Sequence, residues 1–513
     1  KKVVKVFVKK FPLTQIYRCL YTYIGGIEMK VKYKYKTKPY KHQQDCLEKC
    51  WDKKIFALFM EMGTGKSKVL IDNMSILYEQ DRINFAVVIA PKGVYRNWSE
   101  KEIPEHMPDR IKREVIVWKT KLSQADKEIL VKMKEDPSYE PLVIFVINVE
   151  AFSSLRGKKV ADWLTSNGYG SRGMITVDES TTIKNHKAKR TKTLINMSKY
   201  FQYKRILTGS PVANSPLDLY SQCEFLGEKI LGYDSYYPFQ ARYAVMHRKN
   251  MGTISFNQVL GYRNIDELTR KIDDFSDRVL KKDCLDLPEK IYTSRSVSMN
   301  PDQIRMYEEI RKKSILMIDK DMVSANMVAT QLLRLQQILS GHLRSDDGDL
   351  IKFPTRRLDA LVEICEEASG KVIIWSRFRY DVITITEKLN KTFGSQFKKV
   401  AVSFFGDTSD NERQENIKLF QDPKSSVRFF VGNPQTAGRG ITLTAANTVI
   451  YYANDFNLET RIQSEDRCHR IGQHHPVTYI DLITDETIDG KIVKSLRNKI
   501  NLSAKVLGEK ARE

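Results

Sequence analysis

Ile55-Phe56-Ala57-Leu58-Phe59-Met60-Glu61-Met62-Gly63-Thr64-Gly65-Lys66-Ser67-Lys68 is the stretch whose reading decides the fold. A short apolar run, Ile55 to Phe59, leads into a glycine loop, and a helical pattern follows from Lys68 to Tyr78. Strand, loop and helix in that order are the context a phosphate-binding loop needs. The glycines let backbone N–H groups wrap phosphate oxygens, and the helix N-terminus adds a favourable field. Lys66 is positioned to reach the β and γ phosphates of a nucleotide, and the Ser67 hydroxyl to hold Mg²⁺. Met60 stands where the usual pattern has its first glycine, so the short match alone leaves a chance occurrence open.

A second motif lies further along. Met174 to Val177 runs straight into Asp178-Glu179. Two carboxylates at the end of a buried strand are costly unless they are used. Asp178 suits a Mg²⁺ ligand and Glu179 a base for the attacking water. Two acids opening a helix after a strand is the bland alternative. The pairing with the glycine loop favours a hydrolysis site for ATP. Leu207-Thr208-Gly209-Ser210-Pro211 again follows a short strand; it reads either as a turn or as an element linking nucleotide state to movement.

Further apolar runs surround these motifs. Ala86 to Ala90, Leu142 to Ile147 and Lys204 to Leu207 join the two strands above, with helical stretches between them. Continuous apolar strands separated by helices predict a parallel sheet covered on both faces. After a helical, charged region (Gln303 to Lys320 and Val328 to Leu339 have helical spacing), strands resume at Lys371 to Trp375, Lys399 to Phe404, Val427 to Val431 and Thr448 to Tyr452. The fold class expected is α/β: two parallel-sheet lobes with a largely helical insertion between them. The boundaries predicted are a basic N-terminal extension at 1–38, lobe 1 at 39–225, the insertion at 226–353, lobe 2 at 354–490, and a C-terminal helix with a basic tail at 491–513. Lys30 to Tyr35 alternates strictly and predicts a strand with lysines on one face.

Bulk composition agrees. The chain has 513 residues, too many for one core. Its net charge of +22 points to a polyanionic partner, most often nucleic acid. No apolar run approaches the roughly 20 residues of a membrane span. The 7 cysteines are scattered without paired C-x-x-C elements, which argues against a structural zinc site and for free thiols in a reducing cytosol. The segment before Met29 lacks the pattern of a signal peptide.

Near the C-terminus, Gln463-Ser464-Glu465-Asp466-Arg467-Cys468-His469-Arg470-Ile471-Gly472-Gln473 places Gln463, Arg467 and Arg470 at helical spacing, hence on one face. A guanidinium offered across a cleft is well suited to stabilise charge on a transferred phosphoryl group.

This string, with Asp178 to Asn185, Leu207 to Pro211, Ala90-Pro91-Lys92 with Asn97-Trp98, Arg278 to Lys290, Gly406 with Arg413 and Phe420, and Gly438-Arg439-Gly440-Ile441-Thr442-Leu443, resembles the Swi/Snf branch of the superfamily-two helicase-like ATPases over roughly residues 39 to 487. The resemblance implies that both lobes are RecA-like, with nucleotide contacts at Gln43, Met62, Gly63, Thr64, Gly65, Lys66, Ser67, Gly438 and Gly440. It implies catalytic roles for Lys66, Asp178, Glu179, Gln463, Arg467 and Arg470, with Arg470 the stronger candidate for the finger, and Mg²⁺ at Ser67 and Asp178. DNA contacts follow at Pro91, Lys92, Asn148, Ser376, Arg377 and Thr442. The implied partner is double-stranded DNA bound without sequence preference, and the implied protein a monomer in the cytoplasm of a bacterial or phage-infected cell. Arg439 and Met60 depart from the branch. Arg242, Arg248, Lys249 and Arg263, interleaved with Tyr236, Tyr237, Phe239, Tyr243 and Tyr262, suit either nucleic-acid binding or a helical core with a basic face. Three functions are expected to compete: a duplex-DNA translocase, a strand-separating helicase, and a nucleic-acid-binding scaffold with an inactive core.

Overall fold

The computed structural model describes residues 33–251, 254–319, 325–345, 347–395, 399–437 and 441–509. The chain divides into two units, Lys1–Tyr35 and Lys36–Glu513. The first is described only at 33–35, which form no strand; the rest of the alternating Lys30 to Tyr35 segment lies outside the described residues.

Lobe 1 is built on β1 (Ile55–Met60), β2 (Phe85–Ala90), β3 (Arg113–Val117), β4 (Leu142–Asn148), β5 (Gly173–Asp178) and β6 (Tyr203–Leu207). β7 (Ala244–Met251) and β8 (Ile254–Tyr262) form a separate antiparallel hairpin. β9 (Ser276–Val279) then returns to β1 and completes a seven-stranded sheet of order β3-β4-β2-β5-β6-β1-β9. All its pairings are parallel. Phe85–Ala90 is buried at every position, as expected of a strand covered on both faces.

Lobe 2 uses β10 (Lys290–Ser296), β13 (Lys371–Ser376), β14 (Ala401–Phe404), β15 (Phe429–Gly432), β16 (Ala446–Ala453) and β17 (Val477–Ile483) in the order β10-β17-β16-β13-β15-β14, again parallel; β11 (His342–Arg344) and β12 (Leu350–Lys352) make a small hairpin beforehand. One face of this sheet buries Ile374, Val431 and Ile450, and the other Trp375, Phe430 and Tyr451. Each such side chain contributes ~2 kcal/mol by leaving water.

The two-lobe α/β architecture is therefore as expected. The region 226–353 carries more helix than strand but is not helical throughout. Four of its helices (Tyr236–Tyr243, Ile265–Asp273, Pro301–Asp319 and Ala325–Leu339) alternate with both hairpins, and β9 and β10 are edge strands of the lobes themselves. Both are short edge strands with charged residues, as edges commonly are, and that hides them from apolar periodicity. A last helix, Ile488–Val506, begins in lobe 2 beside Tyr307 and Leu458 and ends with Val506 in the lobe 1 core.

Arg205 fixes the base of lobe 1. It is fully buried, and its guanidinium donates to the carbonyls of Cys50, Lys53, Lys54 and Lys204 and to Asn73 Oδ1. The Cys50 carbonyl ends helix α1 (Lys41–Cys50), so a cation there also meets the negative end of the helix dipole.

Candidate functional site

β1, β5 and β6 are neighbours, and the segments leaving their C-terminal ends converge. Ligands of open α/β sheets collect at such strand ends. After β1 the chain turns through Gly63 at φ +82° and Gly65 at φ +90° into helix α2 (Lys66–Glu79). Both angles are left-handed and favour glycine. Gly65 has a second constraint, since a Cβ there would stand 2.1 Å from Gln43 Nε2. Met60 is fully buried within β1 and lies before the turn proper, so the missing first glycine costs the loop nothing. Lys66 Nζ donates to the Met60 carbonyl at 3.0 Å, along the loop. Gln43 bonds the same loop, donating to Thr64 O at 3.1 Å while its Oε1 accepts from Tyr40 N–H.

Asp178 closes β5, opposite Leu207 of β6. Burial pushes its carboxyl above the usual range; Lys66 and a bond from Trp98 Nε1 at 3.1 Å oppose that shift. Glu179 follows in a left-handed conformation at φ +50°, uncommon for a residue with a side chain. Such strain recurs at functional sites. Thr208 Oγ1 lies 3.4 Å from Glu179 Oε2, and a Cβ on Gly209 would stand 3.2 Å from Met62 N, so the Leu207–Pro211 segment touches both the acid and the loop.

Trp98 and Glu102 belong to this site although the sequence reading gave them no role in its chemistry. They sit on a π-helical turn, Trp98–Glu102. Such turns are uncommon and concentrate at functional positions. Burial raises the Glu102 carboxyl, and a hydrogen bond from Ser67 opposes the rise.

Lobe 2 supplies the opposite wall of a cavity of about 240 Å³ lined by Lys66, Ser67, Asp178, Glu179, Gln463, Arg467 and Arg470. The expectation of one continuous helix face is corrected here. Helix α3 (Leu458–Glu465) carries Gln463 but stops at Glu465, and both arginines lie on the tight turns that follow. The turn arises because Cys468 is drawn into the lobe 2 core and Asp466 is held by Lys281 at 2.7 Å. Arg467 is buried, donates to the carbonyls of Gln463 and Ile441, and reaches Met62 Sδ at 3.8 Å across the cleft. Arg470 is half-buried on the same wall. Glu459 makes a second bridge, accepting from Thr181 at 3.0 Å and Gln463 at 3.1 Å and lying 3.7 Å from Lys184. Gly438 and Gly440 lie outside the described residues.

These groups fit a magnesium nucleotide. A glycine cradle at a helix N-terminus suits phosphates, and Mg²⁺ typically needs only one or two protein ligands. Ser67 and Asp178 would hold the ion.

The expected DNA contacts are less uniform. Lys92 is exposed, and its N–H donates to Glu150 Oε2, joining two of the expected loops. Asn148 caps the turn after β4 by accepting from Ala151 N–H. Ser376 is corrected: it is fully buried and donates to Asp381 Oδ2 at 2.6 Å, because the last position of β13 faces inward. Arg377 donates to Gln336 Oε1 at 2.6 Å. Pro91 and Thr442 line the nucleotide cavity. In the 236–263 region most of the aromatic and basic residues build structure. Phe239 and Tyr243 are core, Tyr236 stacks on His186, Arg242 pairs with Glu267, and Arg263 donates to Ala241 O. Tyr237 and Arg248 are exposed, while the side chain of Lys249 lies outside the described positions.

Among the described residues no helix is long and apolar enough to cross a membrane.

Comparison with known proteins bears on the same residues. Residues 42–346 match the SNF2-related domain, and residues 356–472 match the helicase conserved C-terminal domain. Transcription regulatory protein SNF2 of Saccharomyces cerevisiae is 25% identical over 471 residues, covering 87% of this chain and 26% of that protein. The SWI/SNF chromatin-remodeling complex subunit snf22 of Schizosaccharomyces pombe is 27% identical over 354 residues, covering 64% and 20%. An uncharacterized ATP-dependent helicase of Mycoplasma pneumoniae is 26% identical over 465 residues, covering 88% and 40%. The chain thus spans 20 to 40% of the length of these relatives. The solved Sulfolobus solfataricus SWI2/SNF2 ATPase core in complex with dsDNA aligns over 91% of this chain and 92% of that one, at 25% identity and a TM-score of 0.40.

Proposed function

Because this chain belongs to the SNF2-related family, with a superfamily-two helicase-type ATPase core, we propose that it hydrolyses ATP between its lobes and uses the cycle to move along double-stranded DNA. The observation that carries this reading is the two-sided cleft: the phosphate loop and Asp178-Glu179 on one wall, Gln463, Arg467 and Arg470 on the other. Hydrolysis then depends on lobe closure, and closure is a displacement that can be coupled to a track.

Each residue has a task in this scheme. The loop N–H groups and Lys66 hold the phosphates. Ser67 and Asp178 hold Mg²⁺, which when bound neutralises charge on the phosphoryl oxygens. Glu179, held in place by its backbone and by Thr208, orients the attacking water and accepts its proton. Arg467 is engaged by carbonyls and Met62, so it braces the turn, leaving Arg470 to meet the developing charge. Lys92 and Arg377 are the DNA-contact candidates that remain at the lobe surfaces; backbone contacts of this kind are insensitive to sequence.

The test is ATPase rate with duplex DNA, single-stranded DNA or RNA. Duplex DNA should stimulate most. Stimulation by RNA alone would remove the proposal.

A further inference from the structure

We propose that Lys281 is a positioning residue for ATP hydrolysis, holding the phosphate loop and the arginine turn in register across the cleft; this rests on reading the cleft as an ATPase site. Lys281 follows β9 after one intervening residue, Leu280, within the Arg278 to Lys290 stretch, to which no nucleotide or DNA role was given above. Its backbone N–H donates to Glu61 Oε2 at 2.8 Å, on the residue that leads from β1 into the loop. Its side chain runs beside the loop, with Cε 3.8 Å from where a Cβ on Gly63 would stand. Its Nζ then crosses to lobe 2, donating to Asp466 Oδ1 at 2.7 Å and to His469 O at 2.9 Å.

These contacts close a circuit. Glu61 binds Lys281, Lys281 binds Asp466, Asp466 is covalently next to Arg467, and Arg467 returns to Met62 beside Glu61. A shift of either wall is felt by the other through this lysine. Both charges of the Lys281–Asp466 pair are almost wholly buried, at 7% exposure each. Burying an ammonium is costly unless its partners are well placed, and a buried pair is weak evidence of stability for its own sake. Stability has other sources at this join. The same linker also holds the turn through Lys290–Glu465 at 3.1 Å and through His469 Nε2 against Pro288 O at 2.7 Å. Lys281 alone among these reaches both the residue beside Arg467 and the phosphate loop. Misplacing a transition-state group by a fraction of an ångström is felt in turnover before it is felt in ground-state binding.

The experiment compares wild type, Lys281→Met, Lys281→Gln and the charge-swapped double variant Lys281→Asp/Asp466→Lys. It reads kcat and KM for ATP with duplex DNA, affinity for Mg·ADP and for Mg·ADP with aluminium fluoride, and the thermal midpoint. We expect Lys281→Met and Lys281→Gln to lose about tenfold or more in kcat with KM and Mg·ADP affinity within about twofold, and to lose affinity for the aluminium fluoride complex in proportion. The swapped pair should regain part of the loss. Unchanged kcat in a folded Lys281 variant overturns the proposal. So does a parallel loss of kcat, Mg·ADP affinity and thermal midpoint, which marks a purely structural role. A wild-type chain that does not hydrolyse ATP overturns the functional reading first and this proposal with it.

Discussion

The Trp98 indole donates to the Asp178 carboxylate at 3.1 Å, tying a π-helical turn to the acidic end of β5. Asp178 is half-buried at the end of β5, and the desolvation there disfavours its charged form. The bond from Trp98 favours the charge, as do Lys66 and the Glu179 N–H. Trp98→Phe keeps the aromatic volume and removes the donor. A hydrogen bond to a charged group is worth roughly 1.5 kcal/mol or more, so kcat/KM for ATP should fall about tenfold. Subtracting the variant's tryptophan emission from wild type should isolate a signal that responds to Mg·ATP. Unchanged kinetics would show that Asp178 does not need this partner.

Glu102 stands beside Ser67, and burial has raised its carboxyl. An oxygen that accepts from the Ser67 hydroxyl would leave that hydroxyl's lone pairs for a bound Mg²⁺. Glu102→Ala should raise the Mg²⁺ concentration for half-maximal ATPase several-fold, with most of the rate recovered at excess Mg²⁺. A Mg²⁺ titration at fixed ATP checks this.

Glu465 gives a pH prediction. Burial pushes its carboxyl up, but Lys290 and Arg461 outweigh burial and hold it at about 2 instead of 4.5. A depressed acid stabilises the fold above its unfolded pKa, and that stabilisation is lost as pH falls through 4.5 toward 2. The difference is worth about 3 kcal/mol. Urea unfolding should therefore show lobe 2 losing stability over that window, and Glu465→Gln should flatten the dependence.

Arg205 should matter to folding and not to chemistry. Arg205→Ala removes the donor shared by four carbonyls and Asn73 Oδ1, of which the carbonyls of Cys50 and Lys54 keep a backbone N–H. Each buried acceptor left unsatisfied costs about 1–3 kcal/mol. The urea midpoint should drop markedly, while folded variant at low temperature should keep its KM for ATP.

Much of this was legible in the residues. Ile55 to Phe59 and Ala86 to Ala90 announced buried parallel strands because nothing polar interrupts them. The glycines at 63 and 65 announced a loop because their backbone angles admit little else. What stayed hidden has physical causes. β10 is an exposed edge strand, so its face carries lysine and arginine and reads as loop. The hairpin β7–β8 has too little apolar alternation to stand out. The arginine turn looks helical in spacing, but tertiary contacts at Cys468 and Asp466 end the helix early. Ser376 resembled a surface contact, and its burial follows only from the pleat of β13 and the position of Asp381. The roles of Trp98 and Glu102 needed the π-helical turn, which no periodicity in the sequence reveals.

On the function proposed, closure of the cleft between the lobes drives movement along duplex DNA. The most direct measurement is displacement of a third strand from a DNA triplex by the wild-type chain, with ATP, with ADP, and with the Glu179→Gln variant. The expected displacement requires ATP, fails with Glu179→Gln, and proceeds without separation of the duplex strands. Triplex left intact under conditions where duplex DNA stimulates hydrolysis would contradict it.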